Sequence, residues 1–223
     1  MAVRDSIADA CAGMGRDPAE VRIVAITKGH PAETVHAAIR AGLTDIGENR
    51  VQEALAKLGP DVRPEGASPI RWHMVGHLQR NKVRDAVALF DWVQSIDSLR
   101  LARAISGRVD EGRPVQVLIE VNAGGEAQKH GLAPERGVET ALAVAELPGL
   151  EFRGVMAMAP WTEDERAIRA AFRVARGVFE SLRERVGARV DTLSMGMSND
   201  YGVAVEEGAT MIRLGTALFG ERG

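Results

Sequence analysis

The chain has 223 residues, 45% of them hydrophobic and 26% charged, enough for one sizeable core. Its 28 basic and 31 acidic residues leave a net charge of −3, which argues against the cationic face a nucleic-acid binder needs. One cysteine, Cys11, excludes a disulfide framework and a cysteine zinc site, and no apolar run approaches the ~18 residues of a membrane span.

In chain order, Met1–Gly15 is broken by Asp5 and Asp9 and lacks the apolar region of a signal peptide, so a cytoplasmic protein is expected. Arg4–Met14 reads as a leading helix. The first strand is Val21–Thr27, followed by Lys28, the stop Gly29-His30-Pro31 and a helical pattern over Ala32–Ala41. Asp45–Asn49 is the second strand, and Gly59–Pro69 reads as a loop. Arg71–Gly76 and Trp92–Asp97 are strands, with helical patterns over Arg80–Leu89 and Leu99–Asp110. Val115–Asn122 pairs with Pro134–Leu147, and Glu151–Ala159 with Glu163–Val186. Thr192–Met197 and Met211–Gly220 complete a set of eight strands. Strands alternating with helices mean parallel βα units. The expected fold is α/β: a single-domain (β/α)8 TIM barrel over residues 1–223 with an extra N-terminal helix. The rival, a doubly wound sheet, should carry a G-x-G-x-x-G turn, and the 24 glycines form none.

Side chains alternate faces along a barrel strand. If Ile23 and Ala25 pack under helices, Lys28 points inward at the C-terminal mouth, where barrel active sites sit. The same argument turns Arg213 and Gly215 inward on the last strand, Glu120 and Asn122 on the fifth, and Ser194 and Gly196 on the seventh, with Leu193, Met195 and Met197 outward. Asn49 ends the second strand, and Met156 and Met158 line the sixth. Lys28 is one of only four lysines, with Lys57, Lys82 and Lys129, against 24 arginines. A lysine desolvated near another cation loses its proton readily and can form a Schiff base. The turn Ser194–Asp200 (SMGMSND), together with Gly215-Thr216-Ala217 from the next strand, suits a phosphate cradle after strands seven and eight. A hydrolase elbow, G-x-S-x-G, would need glycine where Asp200 stands. His73 and His77 have no evident carboxylate partners, His30, His36 and His130 carry no pairing signal, and no metal site is expected.

Several motifs are shared with a known family: Lys28 in AITKGHP, Gly47-Glu48-Asn49 with Val51-Gln52-Glu53, and His73-Met74-Val75-Gly76 with Leu78-Gln79 and Asn81-Lys82. Lys129-His130-Gly131-Leu132, Arg153-Gly154-Val155-Met156, SMGMSND and IRLGTALFG complete them. In these the chain resembles, over nearly its whole length, the YggS/PROSC-type pyridoxal phosphate homeostasis proteins. The resemblance implies a barrel similar to the alanine racemase N-terminal domain and pyridoxal 5'-phosphate (PLP) held as a Schiff base on Lys28. It further implies that Ser198 and the amides of Gly215 and Thr216 hold the phosphate, that Arg213 faces the pyridine nitrogen, and that Asn49 and Met158 line the ring. Such proteins carry or regulate PLP and have no established reaction. PLP-dependent apoenzymes are the implied partners, and a monomer is expected.

The alternative is a PLP-dependent amino-acid racemase. A permanently protonated Arg213 would leave the pyridine nitrogen unprotonated and the ring a poor electron sink. Racemisation in the resembling enzyme needs a lysine and a tyrosine on opposite faces, the tyrosine from a further β domain that is not expected here. The only tyrosine, Tyr201, lies beside the phosphate turn. A Ser198 hydrolase lacks a base.

Overall fold

The structure is a computed structural model that describes residues 2–57, 70–110, 112–125 and 130–221. The eight apolar runs become β1 (Arg22–Ile26), β2 (Asp45–Glu48), β3 (Arg71–Met74), β4 (Trp92–Ile96), β5 (Val115–Val121), β6 (Leu150–Ala157), β7 (Thr192–Ser194) and β8 (Met211–Leu214). Each pairs in parallel with its neighbours in sequence, and β8 returns to β1, so the sheet closes into a barrel. Around it lie α1 (Ala2–Ala12), α2 (Ala32–Arg40), α3 (Val51–Lys57), α4 (Val83–Leu89) and α5 (Leu99–Ser106). They are followed by α6 (Pro134–Ala145), α7 (Glu165–Val186), α8 (Tyr201–Glu206) and α9 (Thr216–Phe219). The fold is therefore the expected (β/α)8 barrel with a leading helix.

Two apolar layers follow from the period-two alternation. Ala25, Ile46, Val117, Ile119, Leu193 and Ile212 belong to the large cluster between strands and helices. Val24, Ile26, Trp92, Leu118, Met156 and Met211 form a separate cluster inside the barrel. Both faces are thus buried, which is why the strands read as nearly continuous apolar runs. The helices answer with one apolar stripe each. In α7, Ile168, Ala171, Phe172, Ala175, Phe179 and Leu182 recur at helical spacing and are all buried.

The structure corrects several boundaries. The eighth strand ends at Leu214, not Gly220, because the chain turns at Gly215 and the Leu218 and Phe219 amides donate to its carbonyl, starting α9. The seventh ends at Ser194, so Met197 is half-buried in a turn and not part of the outer layer. Helices α3 and α8, seven and six residues long, are too short for periodicity to announce. The Gly59–Pro69 loop and Lys129 lie outside the described residues.

Polar groups inside the barrel are chained. Asp45 accepts from Arg71 Nε at 2.8 Å and pairs with His73 Nε2 at 2.9 Å. Gln94 Nε2 lies 2.9 Å from His73 Nδ1, and Ser194 Oγ donates to Gln94 Oε1 at 2.7 Å. Because the Gln94 amide can only donate to Nδ1, the His73 proton sits on Nε2, facing Asp45. Burial lowers the His73 pKa against the pull of Asp45, so the ring is neutral. The expectation that His73 lacks a carboxylate partner was wrong: β2 supplies Asp45, which lies two residues before Gly47, the register partner of His73, and 28 positions away in sequence.

Candidate functional site

Register places the candidate residues. Val24 lies opposite Arg213 and Ala25 opposite Leu214, so Lys28, two residues past the end of β1, neighbours the Gly215-Thr216 turn after β8. Ser198 follows β7, Met158 follows β6 and Asn49 follows β2. All seven candidates therefore stand at the C-terminal ends of one contiguous arc, β6-β7-β8-β1-β2. Met158 packs against the inner apolar cluster. The carbonyl of Asn49 presses on Gly76, where an added Cβ would lie 2.4 Å from the Asn49 oxygen, so only glycine fits there.

The backbone around Lys28 is gripped from both sides. Lys57, buried at the end of α3, donates from Nζ to the Thr27 carbonyl at 2.6 Å, to Glu48 Oε1 at 2.7 Å and to Glu53 Oε1 at 2.8 Å. Thr27 Oγ1 donates to Glu48, and the Gly29 amide donates to Glu53. One ammonium and two carboxylates thus fix the residues before and after Lys28. Burial raises the Glu48 pKa, more than its bonds from Lys57 and Thr27 lower it; its Oε2 is buried without a partner among the described residues. For the more exposed Glu53, burial pushes upward too, but the bonds from Lys57 and the Gly29 amide prevail and lower it. Sequence reasoning missed this clamp. The available signal was Glu53 and Lys57 at i,i+4, a spacing that pairs charges on a helix.

Arg213 is 5% exposed and is held at both Nη atoms. Nη1 donates to Ser194 O at 2.8 Å and Ser194 Oγ at 2.7 Å, and Nη2 to the Ala157 carbonyl at 2.9 Å. Burial pushes its pKa down to about 10 against the attraction of Asp200 and Glu120, so it is a cation at neutral pH. The inward placement of Arg213, Ser194 and Glu120 agrees with the alternation argument.

The turn after β7 is built on Asp200, whose Oδ1 accepts from the Met197 amide at 2.5 Å. Gly196 has φ +94°, and a Cβ there would lie 2.6 Å from Ala204 Cβ, so glycine lets α8 close onto the turn. Ser198 Oγ accepts from the Ala217 amide at 3.1 Å, tying this turn to the start of α9. Accepting that bond leaves the hydroxyl proton to donate elsewhere. Two further corrections concern histidines. The His30 ring packs on Phe219 with centroids 5.5 Å apart, and His77 pairs with Asp97 at 3.3 Å and stacks on His130 at 4.1 Å. Strand neighbours β3, β4 and β5 bring the last three together, which linear spacing cannot show.

The alanine racemase N-terminal domain family matches residues 5–223. The pyridoxal phosphate homeostasis protein of Pseudomonas aeruginosa is 44% identical over 218 residues, 97% of this chain and 91% of that protein. The structure of PipY from Synechococcus elongatus with PLP bound is 35% identical with a TM-score of 0.79, covering 96% of this chain and 100% of that one. Alanine racemase of Clostridium difficile, at 14% identity and a TM-score of 0.75, shares the fold, and this chain covers 55% of it. On these matches, carried across nearly the full length of a homologue, the chain belongs to the pyridoxal phosphate homeostasis protein family, built on the alanine racemase N-terminal fold.

Proposed function

We propose that this protein binds PLP at the mouth of the barrel, through Lys28, and serves as a carrier or regulator of the cofactor and not as a catalyst. The donor set suits such a ligand: a primary amine for the aldehyde, a hydroxyl and adjacent amides for the phosphate, and a buried guanidinium beside them. In this reading Lys28 Nζ makes the covalent attachment, while Ser198 and the Gly215 and Thr216 amides take the phosphate. Arg213 faces the ring nitrogen, and Asn49 and Met158 flank the ring. Bound PLP supplies an electron-withdrawing ring that can stabilise a carbanion.

The observation that carries the non-catalytic part is Arg213. Its Nη atoms are anchored to Ser194 and to the Ala157 carbonyl, and it stays protonated at neutral pH. A guanidinium that keeps its own proton leaves the ring nitrogen unprotonated and weakens the electron sink. The protein is proposed to act in the cytoplasm as a monomer and to pass PLP to apoenzymes; no helix of the described residues is long and apolar enough to cross a membrane.

The test is borohydride reduction of the PLP-loaded protein followed by peptide mapping. Label on Lys28 is expected, and label on Lys57, Lys82 or Lys129 would overturn the assignment. Ser198→Ala should weaken PLP by about 1.5–3 kcal/mol, the worth of a hydrogen bond to a charged group, and leave unphosphorylated pyridoxal nearly unchanged. Equal losses for both ligands would remove Ser198 from the phosphate site. An NMR time course of α-proton exchange with alanine should show trace turnover; about 1–1000 per second, an ordinary enzymatic rate, would overturn the carrier reading and favour the racemase alternative.

A further inference from the structure

The barrel mouth has a second half. The cofactor candidates occupy the ends of β6, β7, β8, β1 and β2. His77 and Asp97 follow β3 and β4, His130 stands beside the end of β5, where Leu132 bridges to Val121, and their donor atoms all lie within 4.8 Å of one another. We infer that this trio is a site for a divalent transition-metal ion of the zinc type, bound by two imidazoles and one carboxylate, with an open coordination position.

Geometry carries the inference. His77 Nδ1 and Asp97 Oδ2 are 3.3 Å apart. Two donors bound about 2.0–2.1 Å from a tetrahedral zinc ion stand roughly 3.3 Å apart, so this edge is already set for one. The Asp97 carboxylate is oriented from behind: Ser98 Oγ donates to Oδ1 at 3.0 Å, which turns Oδ2 toward His77. Ser98 itself is fixed as the N-cap of α5, accepting from the Leu101 amide. A ligand held by a neighbour that is itself held is the usual way proteins orient metal donors.

The third donor arrives by stacking. The His77 and His130 rings lie 4.1 Å apart at 14°, which brings a His130 nitrogen into the cluster with the donor atoms of His77 and Asp97. The His130 donor atom lies within 4.8 Å of both others. All three side chains are partly exposed, so an ion and a further ligand can enter. Two imidazoles and one carboxylate, with no fourth protein donor in the cluster among the described residues, match an open site, in which water or an anion completes the shell. Imidazole and carboxylate together select zinc, cobalt or nickel over magnesium or calcium.

Titration of the purified full-length protein with cobalt(II), read by ligand-field absorbance, tests the site, with zinc(II) as competitor. We expect one cobalt per chain, displaced by one equivalent of zinc. His77→Ala, Asp97→Ala and His130→Ala should each reduce affinity by about 100-fold or more, since even outer partners of metal ligands cost up to that much. Far-UV circular dichroism should be unchanged in all three. Absence of saturable uptake by the wild type, or uptake retained by all three variants, would overturn the inference. So would uptake abolished by Lys28→Ala and preserved in the three variants, because the ion would then belong to the bound cofactor.

Discussion

Lys57 shows how a buried charge can hold the backbone beside a candidate cofactor residue. Its ammonium is compensated by Glu48 and Glu53 and bonded to the carbonyl just before Lys28. Lys57→Met should therefore leave Glu48 buried and uncompensated, costing about 3–5 kcal/mol in a urea denaturation at neutral pH. The Lys57→Met, Glu48→Gln double variant should recover part of that loss, because it leaves no unpaired charge. If the double variant is less stable than the single, the carboxylate is not the source of the cost. The place of Lys28 just past β1 was legible because the apolar run before it stops at Gly29-His30-Pro31. The clamp beneath it was not, because its members come from β1, β2 and α3 and converge only on folding.

At the scale of elements, the turn between β7 and α8 depends on one glycine. Gly196 combines φ +94° with the near approach of Ala204 and of Tyr201, whose Cα would lie 3.0 Å from an added Cβ. Gly196→Ala should cost about 1–3 kcal/mol, the range for a side chain forced into a sparsely populated backbone region. It should also weaken PLP, since Ser198 stands two residues further on. Gly202, inside α8, is the contrast: a Cβ there meets nothing within 4 Å. Gly202→Ala should stabilise by about 0.5–1 kcal/mol through helix propensity. Thermal melts of the two variants check both signs. Alternation of strand faces was readable where a polar residue such as Glu120, Ser194 or Arg213 interrupts the otherwise apolar run. The end of β8 was not, since Ala217, Leu218 and Phe219 are as apolar as a strand and only the turn at Gly215 commits them to α9.

For the whole molecule, stability against pH should carry two opposite signatures. Burial raises the Glu120 pKa, and the charge of Asp97 adds to it, outweighing Arg213 and His130. A raised carboxyl contributes stability below its unfolded pKa and loses it as pH rises through the folded value. Glu120→Gln should thus be neutral or stabilising at pH 7 and lose that advantage in acid. Asp45 runs the other way. Burial pushes its pKa up, but hydrogen bonds from Arg71 and His73 outweigh that and hold it well below the usual carboxylate range. Its contribution is present above the unfolded pKa and is lost as pH falls, so Asp45→Asn should be destabilising at pH 7 and converge on the wild type in strong acid. Denaturation midpoints followed from pH 7 into strong acid distinguish the pair. Parallel curves for both variants would show that neither carboxyl is coupled to folding as described.

Sequence alone determined the fold class, because eight apolar runs separated by amphipathic ones have few ways to bury both faces of a parallel sheet. It also determined that Ser194 and Arg213 point inward, since a period of two leaves no freedom once the outer apolar face is known. The family likeness was readable from motifs spread along the whole chain. Closure of the barrel decided the rest. By returning β8 to β1 it made the Lys28 and Gly215 turns neighbours, and by aligning β3, β4 and β5 it set His77, Asp97 and His130 together. Those contacts join residues tens to nearly two hundred positions apart, and register between strands is a property of the folded sheet that no local pattern contains.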